Sequence, residues 1–222
     1  GVVACELAQF LARVGSRVTI LQRSKHLLRE FPRDAAMAVE KAMRGEGIEI
    51  LTGVSLDSFI TFGEDKVRVC YKREGEVGLK ETGFLFLALG RKPAVDRLSP
   101  LEVGLDLLPS GHVLTNEFQQ TNLSHIYAAG DCAGPHEIVH VAIRQGETAA
   151  FHALGKTVEP MNYDHLLTVV FTDPQVARVG LSPYQLRDRG VDFLSASYPF
   201  DDHGKSILME AKHGYVAVHA EK

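Results

Sequence analysis

The chain has 222 residues, with 24 Lys and Arg against 28 Asp and Glu, so its formal net charge is −4 with histidines neutral. Hydrophobic residues make up 45% and charged residues 23%, a balance that allows a buried core and excludes the compositions of disordered, collagen-like and membrane-spanning chains. No long basic run is present, which argues against nucleic acid as a partner. No apolar stretch approaches the roughly 18 residues a spanning helix needs, so no membrane partner is expected and the reading is cytoplasmic.

Cys5, Cys70 and Cys132 lie far apart, with neither a CxxC pair nor a Cys/His ligand spacing. They read as small buried thiols in a reducing compartment. The ten histidines show no ligand spacing either, and no metal is expected. The chain opens on Gly1, not Met, where a helical pattern begins, which suggests an internal fragment.

In chain order, VVACELAQFLARVG places Val3, Leu7, Leu11 and Val14 at helical spacing and interleaves Ala4, Ala8 and Ala12 before Gly15. RVTILQ follows as a buried strand of the parallel type. Residues 34–47 repeat the logic, with Ala35, Val39, Ala42 and Met43 on one helix face, and IEIL is a second strand. Residues 54–82 change to short alternating strands around a polar REGEVG turn, an antiparallel insert. FLFLAL reads as a strand running into GRKP, HIYAAGD as another short strand, and residues 138–155 as a helix. Beyond Pro160, residues 166–171, 177–180, 193–200, 205–211 and 215–219 read as strands and residues 183–189 as a helix, an α+β segment that looks like a separate unit.

Two patterns carry chemistry. Gly1-x-x-Ala4-x-Glu6 opens a helix ahead of a buried strand, as the second half of a dinucleotide-binding G-x-G-x-x-G/A turn does. Gly1 would let backbone N–H groups approach a pyrophosphate, and Ala4 would keep helix and sheet close; such a helix start also serves plain packing. About 20 residues on, where an acidic residue would bind the ribose hydroxyls of NAD, stand Gln22 and Arg23, with Arg29 after a short loop. A neutral Gln22 beside two arginines favours NADPH, whose 2′-phosphate the guanidinium groups would bind; solvated loop charges are the other reading. The second pattern is Ala129-Gly130-Asp131, where small residues let a ligand lie against the strand end and the carboxylate can accept hydrogen bonds from a polyol. An aspartate that merely caps a turn fits the same residues.

Four stretches in this order, GVVACELAQFLARVGSRVTILQRS, ALGRKPAVD, TNLSHIYAAGDCAG and VVFTDPQVARVGLS, resemble the class I pyridine nucleotide-disulfide oxidoreductases, most of all the dihydrolipoamide dehydrogenase and mercuric reductase branch. The resemblance implies a flavoprotein in which NAD(P)H reduces FAD and FAD passes electrons to a cysteine pair. It implies that Gly1, Ala4 and Glu6 belong to the NAD(P)H turn, with Glu6 near the nicotinamide, and that Gln22, Arg23 and Arg29 decide cofactor choice. Gly90 and Arg91 match the G-R-x-P element between the two nucleotide sites, and Gly130 and Asp131 the motif whose aspartate binds the FAD ribityl chain. Val139, His140, Val141 and Ala142 start a helix whose N–H groups would point at the flavin N1/O2 edge, with His140 as a backbone contact.

Family chains are about twice this length, and the resemblance implies that the adenosine-binding GxGxxG and the CxxxxC pair precede Gly1 while the rest of an interface domain follows Lys222. No residue of this chain is then assigned a catalytic role. The expected fold is α/β: a Rossmann-like NAD(P)-binding domain over residues 1–84, part of an FAD-binding domain over 85–159, and part of an α+β dimerisation domain over 160–222. The expected cofactors are FAD and NADPH, the partners small-molecule nucleotides and a second copy of the full-length protein, and the reaction hydride transfer from NADPH to FAD and on to a dithiol, disulfide or metal-ion acceptor. A non-catalytic nucleotide-binding module and a vestigial interaction domain are the alternatives.

Overall fold

The computed structural model describes residues 1–62, 66–211 and 213–222. They form two compact units, Gly1–Leu89 together with Leu166–Lys222, and Gly90–His165.

The first unit opens with helix α1 (Val2–Arg13), followed by strand β1 (Thr19–Gln22), helix α2 (Arg33–Gly45) and strand β2 (Glu49–Thr52). β1 and β2 pair in parallel, Thr19 opposite Glu49 and Gln22 opposite Thr52, so the expected helix-strand alternation is present. α2 begins after Pro32, carries Asp34 in its first turn and Arg44 in its last, as the helix dipole favours. Arg44 donates to Glu40 Oε1 at 2.7 Å and to Ile50 O at 2.8 Å, tying helix to strand.

Strands β3 (Val54–Phe62), β4 (Lys66–Arg73) and β5 (Glu76–Thr82) make the expected antiparallel insert, with a register irregularity between Leu56 and Ser58. Glu74 and Gly75 both lie at positive φ between the paired Arg73 and Glu76, the backbone that a two-residue hairpin requires. FLFLAL is not a strand. Residues 84–89 run without a strand partner among the described residues, Phe84 being 90% and Leu89 77% exposed. An apolar run of strand formers becomes a strand only where a neighbour takes its N–H and C=O groups.

The second unit is mostly loop, with short 3₁₀ turns at Asp96–Leu98 and Gly130–Cys132 and one long helix, α3 (Val139–Ala153). HIYAAGD also departs from its expectation, since it makes only an isolated bridge, Gln120 to Tyr127, before the chain turns at Gly130.

Chain 166–222 contributes β6 (Leu167–Val170) antiparallel to β7 (Val176–Val179), helix α4 (Pro183–Asp188), strand β8 (Phe193–Pro199), helix α5 (Gly204–Leu208) and β9 (Tyr215–Glu221), antiparallel to β8. α4 starts on a capping box, Ser182 with Gln185, and Pro183 in its first turn. In place of the strand expected at 205–211 stand the short helix α5 and a turn at Met209 and Glu210, the latter at positive φ; only Ile207 in that run is β-branched.

The core of the first unit joins α1, the 27–28 loop, α2, β1, β2 and β6. Cys5, Leu27, Ala36, Val39, Met43 and Val170 are fully buried, packed with Ala8, Ile20, Leu28, Ile48 and Ile50. Burying a side chain of Leu, Val or Met stabilises by about 1.5–3 kcal/mol, and this cluster holds the ends of α1 and β1 in fixed relation. Of the three thiols only Cys5 is fully buried; Cys70 and Cys132 are half-buried, a correction to the expectation for both. No helix among the described residues is long and apolar enough to cross a membrane.

Candidate functional site

In the first unit the site residues gather where α1 begins and β1 ends. Gly1 is the N-cap of α1 and no side chain caps the helix. The first intrahelical bond is Cys5 N–H to Gly1 O at 3.2 Å, so the N–H groups of Val2, Val3 and Ala4 have no helical partner. Space beside Gly1 is open, with nothing within 4 Å of where a Cβ would stand. Ala4 is half-buried, and Cys5 and Ala8 turn the apolar face of the helix into the core.

Gln22, at the end of β1, accepts from the terminal amino group of Gly1 at 3.3 Å and donates to Ser24 Oγ at 2.8 Å. The residue that ends β1 therefore lies beside the first residue of the α1 start, and it is neutral. Leu27 and Leu28 pin the following loop into the core while Arg23 and Arg29 stay exposed, neither having a partner among the described residues. Two uncompensated guanidinium groups thus stand on the segment that follows the strand.

Glu6 is half-buried, and its Oε1 accepts from Phe171 N–H at 2.9 Å. Gln9 lies beside it at 3% exposure and is fully saturated: its Oε1 accepts from Asp173 N–H at 2.7 Å, and its Nε2 donates to Asp173 O at 2.8 Å and Glu46 Oε1 at 2.7 Å. Arg13 pairs with both Glu46 and Asp173 at 2.7 Å, and its hydrogen bonds hold the Glu46 carboxyl below the usual glutamate range against the opposing effect of burial. Sequence reading missed this clasp between α1 and residues 171–173; its one signal was a glutamine inside an apolar helix stripe. Burial pushes the Cys5 thiol up to about 11, which keeps it protonated and unreactive at neutral pH.

In the second unit the residues gather at the start of α3. Gly90 lies at φ +114. Arg91 next to it pairs through Nε with Glu137 Oε2 at 2.7 Å and through an Nη with Asp131 Oδ2 at 3.4 Å, and donates to Glu137 O at 3.4 Å. His112 Nε2 stands 3.8 Å from the other Glu137 oxygen. Asp131 itself is more than half exposed.

Helix α3 is uncapped by any side chain at its N-cap, Ile138, and Ala142 N–H is the first to bond, to Ile138 O at 3.0 Å. The N–H groups of Val139, His140 and Val141 are left open beside the exposed side chains of Val139 and His140. Gly130, at φ +80, has the backbone conformation that favours glycine and lies in ordinary packing contact with the helix, a Cβ there standing 3.4 Å from the Ala142 Cβ. The structure therefore brings Arg91, Gly130, Asp131, Val139, His140 and Ala142 to one helix start, and Gly1, Ala4 and Gln22 to the other. Sequence reading missed Glu137, which holds Arg91 here.

Each site is a helix N-terminus without a capping side chain, with the Gln22 amide beside one and the Asp131 carboxylate and Arg91 guanidinium beside the other. That donor set fits nucleotides, whose phosphates and polyols need N–H donors and oxygen acceptors. The fold is of the Rossmann-like α/β type with an antiparallel insert and an antiparallel α+β segment. Residues 1–146 match the profile of the family described as pyridine nucleotide-disulphide oxidoreductase, and residues 166–222 match its dimerisation domain; the chain belongs to this family.

Among curated relatives, a dihydrolipoyl dehydrogenase of Bacillus subtilis is 31% identical over 221 residues, covering 100% of this chain and 47% of its own length. A mercuric reductase of Lysinibacillus sphaericus is 33% identical over 208 residues, covering 94% of this chain and 38% of its own length. The crystal structure of LpdA from Mycobacterium tuberculosis superposes with a TM-score of 0.89 at 26% identity, over all of this chain and 48% of that one. The HOCl-induced flavoprotein disulfide reductase RclA from Escherichia coli gives 0.86 at 23% identity over all of this chain and 50% of that one, a likeness of fold. The chain spans about half the length, or less, of the relatives it matches.

Proposed function

We propose that this chain forms the NADPH-binding part, a portion of the FAD-binding part and a portion of the dimer interface of an FAD-dependent disulfide-reductase-type oxidoreductase, with the three parts falling near residues 1–84, 85–159 and 160–222. The net reaction is hydride transfer from NADPH to FAD and onward to a dithiol, disulfide or metal-ion acceptor.

The redox chemistry belongs to the bound flavin and nicotinamide, and the contribution of these residues is binding and orientation. The open N–H groups of α1 receive the NADPH pyrophosphate. Arg23 and Arg29 receive the 2′-phosphate, which a carboxylate in place of Gln22 would repel. Asp131 accepts hydrogen bonds from ribityl hydroxyls, and the N–H groups of Val139, His140 and Val141 face the flavin edge where negative charge develops on reduction. Exposed Leu194, Tyr198, Val216 and Val218 on β8 and β9 support pairing of the interface part with a second copy.

The observation that carries the reading is the neutral Gln22 that ends β1, followed by Arg23 and Arg29, both exposed and without a partner among the described residues. Titration of NADPH and NADH against the wild type and the Arg23→Ala/Arg29→Ala variant tests it. Each charge-assisted contact is worth about 1.5–3 kcal/mol, so NADPH weakens by roughly a hundredfold or more while NADH changes little. Equal losses for the two nucleotides would sink the assignment.

A further inference from the structure

Gln145, on the second turn of α3, is completely buried, and its amide is saturated by bonds to two other segments. Its Oε1 accepts from Gly130 N–H at 2.7 Å, and its Nε2 donates to Gly134 O at 2.7 Å and to Tyr163 Oη at 2.9 Å. One side chain thus grips both ends of the 130–134 turn that carries Asp131. The turn is closed on itself by Ala133 and Gly134 N–H groups on Gly130 O, at 2.9 and 3.2 Å, so gripping its ends places the whole turn. Gly130 N–H has Gln145 as its hydrogen-bond partner.

We infer that Gln145 is a positioning residue for Asp131: it fixes the height of that carboxylate above the open N–H groups of α3, so that the two halves of the flavin-facing surface are in register before the ligand arrives. The inference rests on the flavin reading given above. The requirement is chemical. The Gln145 amide supplies an acceptor for Gly130 and a donor for Gly134 from one uncharged side chain, on two separate atoms. A buried glutamate keeps the acceptor for Gly130 and supplies a donor for Gly134 only when protonated, and a leucine offers neither and strands two buried backbone groups. Preorganising the turn removes an ordering cost that flavin binding would otherwise meet.

The test is a double-mutant cycle on flavin dissociation from the flavin-loaded protein, using wild type, Gln145→Leu, Asp131→Ala and the double variant. Gln145→Leu is expected to weaken flavin binding by about tenfold, and by less than about twofold when Asp131 is already alanine. Equal fold-losses in both backgrounds would mean that Gln145 only stabilises the unit, and would overturn the role. A second readout needs no flavin: hydrogen exchange at the Gly130 amide of the 222-residue chain speeds up by about tenfold or more in Gln145→Leu, relative to the Ala149 amide of α3. Gln145→Glu, which keeps the acceptor, leaves Gly130 slow, and this variant carries the test if Gln145→Leu does not fold. A fast Gly130 amide in Gln145→Glu, or a slow one in Gln145→Leu, overturns the positioning role. An Asp131→Ala protein with unchanged flavin affinity removes the flavin reading and this role with it, whereas a normal loss there with unchanged Gly130 exchange in Gln145→Leu overturns the role alone.

Discussion

Each of the two units is held together internally by its own chemistry. Around α1, α2 and β1 the buried side chains are almost all apolar, with Leu27, Val39, Met43 and Val170 shut away from water. In residues 90–165 the buried groups include Gln119, Thr121, Gln145 and Thr148, and the loops run along hydrogen bonds, as where Thr121 Oγ1 accepts from Leu123 N–H and bonds Ile126 O. This second unit also contains a cavity of about 300 Å³, lined by Leu108, Thr115, Asn116, Gln119, Met161 and Tyr163 among others. A sheet and two helices can be fixed by non-directional burial. A loop framework has few apolar faces to bury, so its positions are set by directional bonds, each of which fixes one backbone group.

The sharpest break of this contrast is in the apolar cluster. Leu27→Ala removes a fully buried side chain and is expected to cost about 3 kcal/mol, within the 2–5 kcal/mol range for such truncations. Denaturant unfolding of the variant measures it, and a loss below about 1 kcal/mol would show that the cluster collapses readily around the gap.

Two buried glutamines sharpen it further. Gln9 is saturated on both amide atoms, whereas Gln119, 2% exposed, keeps its Oε1 without a partner among the described residues. Gln9→Leu strands the Asp173 N–H and C=O groups and costs about 1–3 kcal/mol, while Gln119→Leu removes an unmet desolvated acceptor and changes stability by less than about 0.5 kcal/mol, or raises it. Parallel unfolding curves of the two variants decide the matter; equal destabilisation would mean that Gln119 has a role in packing that hydrogen bonding does not describe.

The smallest effect is one of pH. Arg13 holds the Glu46 carboxyl low in the folded protein, so between the folded value and the unfolded value of about 4.3 the unfolded chain binds more protons. The contribution is therefore complete above the ordinary glutamate range and fades as the pH falls through the folded value. Glu46→Gln should be less stable than wild type at neutral pH and should show a shallower acid limb, read from unfolding midpoints between about pH 6 and 3. Parallel pH profiles would mean that the Arg13 pair is too screened to matter.

Much of this architecture was legible because it is local. α1 and α2 announce themselves by apolar spacing, the Glu74-Gly75 turn by its residues, the helix start at Gly1 by its Gly-x-x-Ala pattern and the one at Val139 through the family resemblance. The strands assigned to FLFLAL and HIYAAGD failed for the complementary reason: their residues favour extended backbone, but a ladder needs a neighbour, and no periodicity reports whether one is there. The stretch at 205–211 departs from the expected strand because only Ile207 among its residues is β-branched and Glu210 turns the chain at positive φ.

Sequence alone determined the family, the α/β class, the neutral Gln22 with its two arginines, and the Gly130-Asp131 pair, because each is a matter of residue type at short spacing. Tertiary structure alone decided that Gln9 clasps Asp173 across 164 residues, that Val170 enters the core beside Cys5, that Glu137 holds Arg91, and that Gln145 grips the turn of Asp131. These are pairings of hydrogen-bonding and apolar groups distant in the chain, and a side-chain amide or a valine carries no mark of its eventual partner. Only the folded backbone, by bringing donor to acceptor within about 3 Å and excluding water from between them, selects one partner from the many that composition permits.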